Sequence, residues 1–266
     1  VRRLTFTGHG AVPCWSPDGR YIAYRDKDGI YVTSPEGGAV RKLAGPWVDE
    51  DVVPWGWTPD SREVLVHGRA AGRAAGSMES CIFRAPLDDS TCVIIENACF
   101  AAMSPDGKTL AFVSLKPEPD WVIWLLDLAT GARRKLAGPR GAGTATYKPK
   151  WSPDGRRLTY IRWTGHGHEL WLIGEDGRDD HRIETGPIAL AGQYAWTPDG
   201  KAVMIGGDLH GIWGIWRIPV SGRGIRRFTA ASEEQAHVGV APDGKRFAFQ
   251  TSQDISRIAV IGLQGD

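Results

Sequence analysis

Two histidines one residue apart, His166 and His168, are the sharpest chemical feature of this 266-residue chain. On extended backbone, residues i and i+2 point to the same side, so the pair could chelate one metal ion. His210, further along, is a candidate third ligand. Neutral imidazole suits Zn, Mn or Fe-type ions. The plainer alternative makes all three polar loop residues on a wet rim, and no cofactor is then needed. A second candidate is the acidic run Asp49-Glu50-Asp51. It could hold a cation or a basic side chain of a partner peptide, although such runs are more commonly solvated loops. Lys148 and Lys150 supply the opposite charge. A mouth with one acidic and one basic side would suit a zwitterionic or peptide ligand.

Several chemistries are excluded by their missing motifs. There is no Gly-x-Ser-x-Gly elbow, phosphate loop, His-Glu-x-x-His helix or Asp-x-Asp-x-Asp-Gly calcium loop. Gly138-Pro139-Arg140-Gly141-Ala142-Gly143 imitates a nucleotide fingerprint but links two strands and opens no helix. The small-residue stretch from His67 to Ser77 reads as a permissive loop, or as a lid. Net charge is +1, so no global field favours nucleic acid or membranes. Basic pairs such as Arg41-Lys42 and Arg226-Arg227 fall on outer strands, where they block edge-to-edge aggregation. No nucleic-acid partner is expected. No apolar run approaches the roughly 18 residues of a membrane helix. The chain begins at Val1 without a signal peptide, so processing and excision from a larger protein both stay open. The four cysteines, Cys14, Cys81, Cys92 and Cys99, lack the close pairing of a zinc or redox site. They read as buried thiols, with a Cys81–Cys92 disulfide as the alternative.

The elements that must position these residues come from a sixfold repeat. Trp15-Ser16-Pro17-Asp18-Gly19-Arg20 recurs with its proline at 59, 105, 153, 198 and 242, at intervals of 42, 46, 48, 45 and 44 residues. Such a period marks a repeat architecture. Proline presets φ at the second turn position, and glycine takes the left-handed conformation. Each copy is therefore a hairpin turn with a bulge, followed by a short apolar strand such as Leu110-Ala111-Phe112-Val113. Ser61 stands where glycine should, which predicts strain or a different turn. Four strands per repeat give an all-β, six-bladed β-propeller of four-stranded antiparallel blades. The chain opens with a fourth-strand pattern and ends on a third-strand pattern. Residues 2–6 are thus expected beside 257–261, closing the ring and completing the last blade. Six repeats leave no spare length, so residues 1–266 form one propeller domain. Trp15, Trp57, Trp151 and Trp196, with third-strand aromatics such as Phe83 and Trp216, are expected to fill the wedges between blades.

The repeats resemble the TolB-like propeller repeat, a relative of the WD repeat with the signature Trp-Ser-Pro-Asp-Gly-Lys-x-Ile-Ala-Phe. The likeness runs along essentially the whole chain. It implies a bacterial, periplasmic or extracytoplasmic binding platform more than an enzyme. Similar propellers gate serine peptidases, act as sensor modules fused to kinases, or are metal-dependent lyases of acidic sugars. No catalytic motif of those proteins carries over to a numbered position here. The α/β domain that accompanies the TolB propeller is not in this sequence.

In such a blade the first strand lies nearest the axis. The loops before first strands and between second and third strands share one face. That mouth gathers His9, Asp49, Glu50, Asp51, Tyr147, Lys148, Trp163, Tyr194, His210, Trp213 and His237. The opposite face carries the monotonous Pro-Asp-Gly turns. The expected function is non-catalytic recognition of a protein, peptide or small ligand at the mouth by a monomer. The alternative is a metal-assisted lyase or hydrolase using the histidines of the same face.

Overall fold

The structure is a computed structural model that describes residues 2–47, 52–71, 80–88, 94–115, 121–231, 233–252 and 256–262. These residues form six four-stranded antiparallel sheets, one per repeat. A two-residue strand, β1 (Arg2–Arg3), comes first. Blade one holds β2 (Ala11–Trp15), β3 (Ile22–Asp26), β4 (Gly29–Thr33) and β5 (Val40–Leu43). Blade two holds β6 (Val53–Trp57), β7 (Glu63–Arg69), β8 (Ser80–Pro86) and β9 (Ile94–Glu96). Blade three holds β10 (Ala98–Met103), β11 (Thr109–Ser114), β12 (Val122–Asp127) and β13 (Arg133–Ala137). Blade four holds β14 (Ala145–Trp151), β15 (Arg157–Trp163), β16 (His168–Gly174) and β17 (His181–Arg182). Blade five holds β18 (Ala189–Trp196), β19 (Ala202–Leu209), β20 (Ile212–Pro219) and β21 (Arg226–Arg227). Blade six holds β22 (Glu234–Val240), β23 (Arg246–Ser252) and β24 (Ser256–Gly262), and β1 is its fourth strand.

The repeated turn is built as its residues dictate, with an addition. Its fourth residue donates its N–H to the first residue's carbonyl, as in Gly155 to Ser152 at 2.9 Å. The glycine there has φ +70°. Ser61 makes the same bond to Thr58 and holds φ 61°, so the second turn is the same turn carrying a left-handed serine. The addition is the hydroxyl before each proline. Ser152 Oγ donates to Asp154 Oδ1 at 2.6 Å and accepts from Arg157 N–H at 3.0 Å, while Asp154 also accepts from Arg156 N–H. The same Ser/Thr–Asp bond is present at Ser16, Thr58, Ser104 and Thr197. Ala241 lacks the hydroxyl, so there Asp243 keeps its bond to Lys245 N–H and accepts from the Arg246 guanidinium at 3.4 Å instead.

The chain divides into two compact units, Val1–Lys42 with Glu184–Asp266, and Leu43–Ile183. The first holds blades five, six and one. The second holds blades two, three and four. In each, tryptophans and aliphatics fill the seams between adjacent blades. Trp151 packs with Ala102, Ala111 and Ile123 of blade three, and its indole N–H donates to Ala102 O at 3.1 Å. Trp15 packs with Ala241, Ala248 and Val260 of blade six. Burying one such ring stabilises by about 2–3 kcal/mol. Cys14, Cys81 and Cys99 are buried, and Cys92 lies outside the described residues.

The expected closure is present within the first unit. Arg2 pairs with Val260 and Arg3 with Ala259. Past the two-residue strand itself, Leu4 N–H donates to Ile258 O at 2.8 Å, within the expected pairing, and Ser256 N–H donates to Gly8 O at 2.9 Å. No helix among the described residues is long and apolar enough to cross a membrane.

Candidate functional site

Each first strand breaks register with its second strand at one bulge. In the second unit the slips fall between Pro54 and Gly56, Cys99 and Ala102, and Tyr147 and Lys150. Phe100 and Lys148 occupy two of them with φ 55° and 56°. A non-glycine residue held left-handed costs about 1–2 kcal/mol, and bulges re-aim side chains. These side chains gather with others from the ends of second strands and the starts of third strands. Trp55 lies 4.7 Å from Phe100 and 5.0 Å from His67 between ring centroids. Phe100 continues to Trp121 at 6.4 Å and to Tyr147 at 5.8 Å. Tyr147 meets His168 at 6.0 Å, and His168 meets Trp163 at 5.0 Å. The result is a continuous aromatic arc across three blades.

Two lysines enter this arc. Lys148 Nζ sits 5.5 Å from the Tyr147 ring centre, and burial pushes its pKa down to about 8. Lys150 Nζ donates to the Trp55 carbonyl and lies 5.6 Å from the Trp55 ring. The indole N–H of Trp55 is buried and has no acceptor among the described residues. Phe100 N–H, left over by the bulge, donates to His67 Nδ1 at 3.2 Å. Burial pushes His67 down to about 3, so its ring stays neutral and accepts. Burial also raises Tyr147 to about 12, which keeps its hydroxyl protonated. The arrangement offers ammonium charge and an indole donor among π-faces. That combination suits a carboxylate on an apolar or cyclic body.

The structure gathers Tyr147, Lys148, Trp163 and His168 from the expected residues, and Asp49, Glu50 and Asp51 lie outside the described ones. Tyr194 is only 1 % exposed, so its side chain belongs to the core of the first unit. His237 holds φ 52° in the blade-six bulge, and its Nδ1 accepts from Gln193 N–H at 3.3 Å. His210 and Gly211 form the exposed turn between β19 and β20. Trp213 is tied to Ala231 by backbone bonds in both directions. His9 is exposed beside a cavity of the first unit. The extended-backbone premise for the His166–His168 pair is not met. β16 begins at His168, while His166 lies in a turn closed by Thr164 N–H to Gly167 O at 3.1 Å. Among the described residues no group of three or more His, Cys, Asp or Glu could hold a metal ion.

Trp55, His67, Phe100 and Trp121 were not picked out as a set by the sequence. A signal exists for His67. It stands eight residues after its turn proline, where blade six has Gln250, and Gln250 Oε1 likewise accepts from the bulge N–H of Val12 at 3.4 Å. Blade five has Gly206 there, because a Cβ would fall 2.3 Å from Gln235 O of the neighbouring strand.

The family model described as "TolB beta propeller domain" matches residues 87–266. An uncharacterised peptidase, YuxL, of Bacillus subtilis is 25% identical over 150 residues, covering 56% of this chain and 21% of the relative. Dipeptidyl-peptidase 5 of Porphyromonas gingivalis is 25% identical over 170 residues, covering 58% of this chain and 25% of the relative. This chain thus spans a quarter or less of the length of these two relatives. The crystal structure of TolB from Acinetobacter baumannii superposes with a TM-score of 0.70 at 14% identity, over 95% of this chain and 60% of that one. That likeness shows the fold: the six sheets are the blades of a β-propeller.

Proposed function

From the premise that this chain belongs to the TolB β-propeller family, we propose a non-catalytic recognition module that binds a carboxylate-bearing protein, peptide or small ligand at the lysine–aromatic arc. The observation that carries this reading is Lys148, a half-buried amine seated against Tyr147 with its pKa lowered to about 8. A carboxylate drawn to this sheltered ammonium would add a charge-assisted contact there. Trp55's unanswered N–H supplies a second donor, and the arc supplies π-faces for the ligand's body. The scaffold fits the role, because these residues sit in first-strand bulges and near strand ends of the blades. The names of the peptidase relatives describe proteins several times longer than the matched segment.

Hippurate and its neutral amide test the reading. Calorimetric titration should show saturable binding of hippurate and at least about tenfold weaker binding of the amide, the size of one charge-assisted contact. Lys148→Met should abolish that difference. Equal affinities for acid and amide, or an unchanged preference in the variant, would overturn it.

A further inference from the structure

The first unit holds a cavity of about 720 Å³ beside the closing strand, a volume suited to a small organic ligand. Its wall combines Phe6, Tyr24 and Tyr31 with the carboxylates of Asp26 and Asp28. The two tyrosines stack with ring centres 5.9 Å apart. Phe6 is 75% exposed, and Arg3 already lies 4.8 Å from its ring centre, so this ring accepts cations.

The two carboxylates differ. Asp28 is satisfied: Tyr31 Oη donates to it at 2.7 Å and Lys42 Nζ lies 3.3 Å away. Asp26 is only 5% exposed, and its partners are the Thr7 hydroxyl, 2.7 Å from Oδ2, and Lys27 N–H at 2.7 Å from Oδ1. Lys27 and His9 line the same cavity, yet no basic side chain pairs with Asp26 among the described residues. Buried charges are ordinarily matched by an opposite charge. The field of Asp26 is felt nearby: burial first and then this carboxylate raise Tyr24 to about 12.

We propose that this cavity is a binding site for a small organic ammonium, whose charge meets Asp26 and whose apolar body lies against Tyr31 and Phe6. The site is separate from the lysine–aromatic arc, which belongs to the other unit, and its ligand has the opposite charge.

Benzylamine and benzyl alcohol, equal in shape, are the probes. Amide NMR titration of the intact chain should show saturable shifts at Thr7, Asp26 and Tyr31 with benzylamine. Benzyl alcohol should leave these amides unmoved up to about 10 mM, a level that saturates even a millimolar site. Asp26→Asn should weaken benzylamine at least about tenfold, and Phe6→Ala about twofold to fivefold. Lys148→Met should leave benzylamine binding intact, which separates this site from the arc. Equal binding of the alcohol, or native affinity in folded Asp26→Asn, overturns the proposal. Should Asp26→Asn fail to fold, native affinity in Phe6→Ala overturns it instead.

Discussion

Lys148 and His67 are both held away from their ordinary titration ranges by burial, with different consequences. Lys148 carries its charge below a pKa of about 8, and the unfolded chain keeps it to about 10.5. A carboxylate should therefore bind with constant affinity below pH 8, then lose about tenfold per unit above it. Titrations of hippurate at pH 7, 9 and 10 check this. His67 must stay neutral to accept from Phe100, with a folded pKa near 3 against 6.5 unfolded. Between those values the unfolded state binds more protons, so stability rises with pH and is lost as pH falls from 6.5 towards 3. Glutamine at this position keeps an acceptor without titrating, as Gln250 does in blade six. Urea midpoints of His67→Gln should accordingly fall less between pH 7 and pH 5 than those of the native chain.

The six turns act as units, and their stability is readable bond by bond. Gly155→Ala places a Cβ on a residue at φ +70°, 3.6 Å from the ring of Pro105. The space is ordinary but the conformation is not, so the cost should be about 1–2 kcal/mol by denaturant unfolding. Hydrogen bonds from Thr58, Ser104 and Ser152 hold Asp60, Asp106 and Asp154 below the usual carboxylate range. Depressed carboxylate pKa values contribute stability above about pH 3.8 that is lost as pH falls through the folded values. Ser152→Ala should then lower stability at pH 7 by about 1 kcal/mol and flatten the acid limb of the unfolding profile. The proline, aspartate and glycine of these turns were legible from residue type alone. The hydroxyl's bond to aspartate was not, because φ preferences explain a turn without its side-chain partners.

In the whole molecule, the closing strand is where distant parts of the sequence meet. Deleting residues 1–8 removes the bonds of Leu4 and Gly8 to β24 and the Thr5 hydroxyl's bond to Ile258 N–H. Each is worth about 1 kcal/mol net, and the bared edge of β24 is free to pair with another chain. The truncated protein should melt earlier and self-associate in light scattering. The histidine alternative is tested by metal analysis of purified protein. His166→Ala with His168→Ala should change neither zinc nor manganese content nor the thermal shift produced by chelator; stoichiometric metal lost in that variant would favour the lyase or hydrolase reading.

The repeat period, the turn residues and the mismatched ends determined the blade number, the strand order and the partner of the first strand. They could do so because turns and alternation are local, and an unpaired strand pattern at each end leaves one pairing. Which side chains face one another was decided only by tertiary structure. Bulges move Phe100, Lys148 and His237 by a register step that no sequence spacing records. That step carries Lys148 into the aromatic arc, and packing between strands buries Tyr194 and leaves Asp26 without a counter-charge among the described residues.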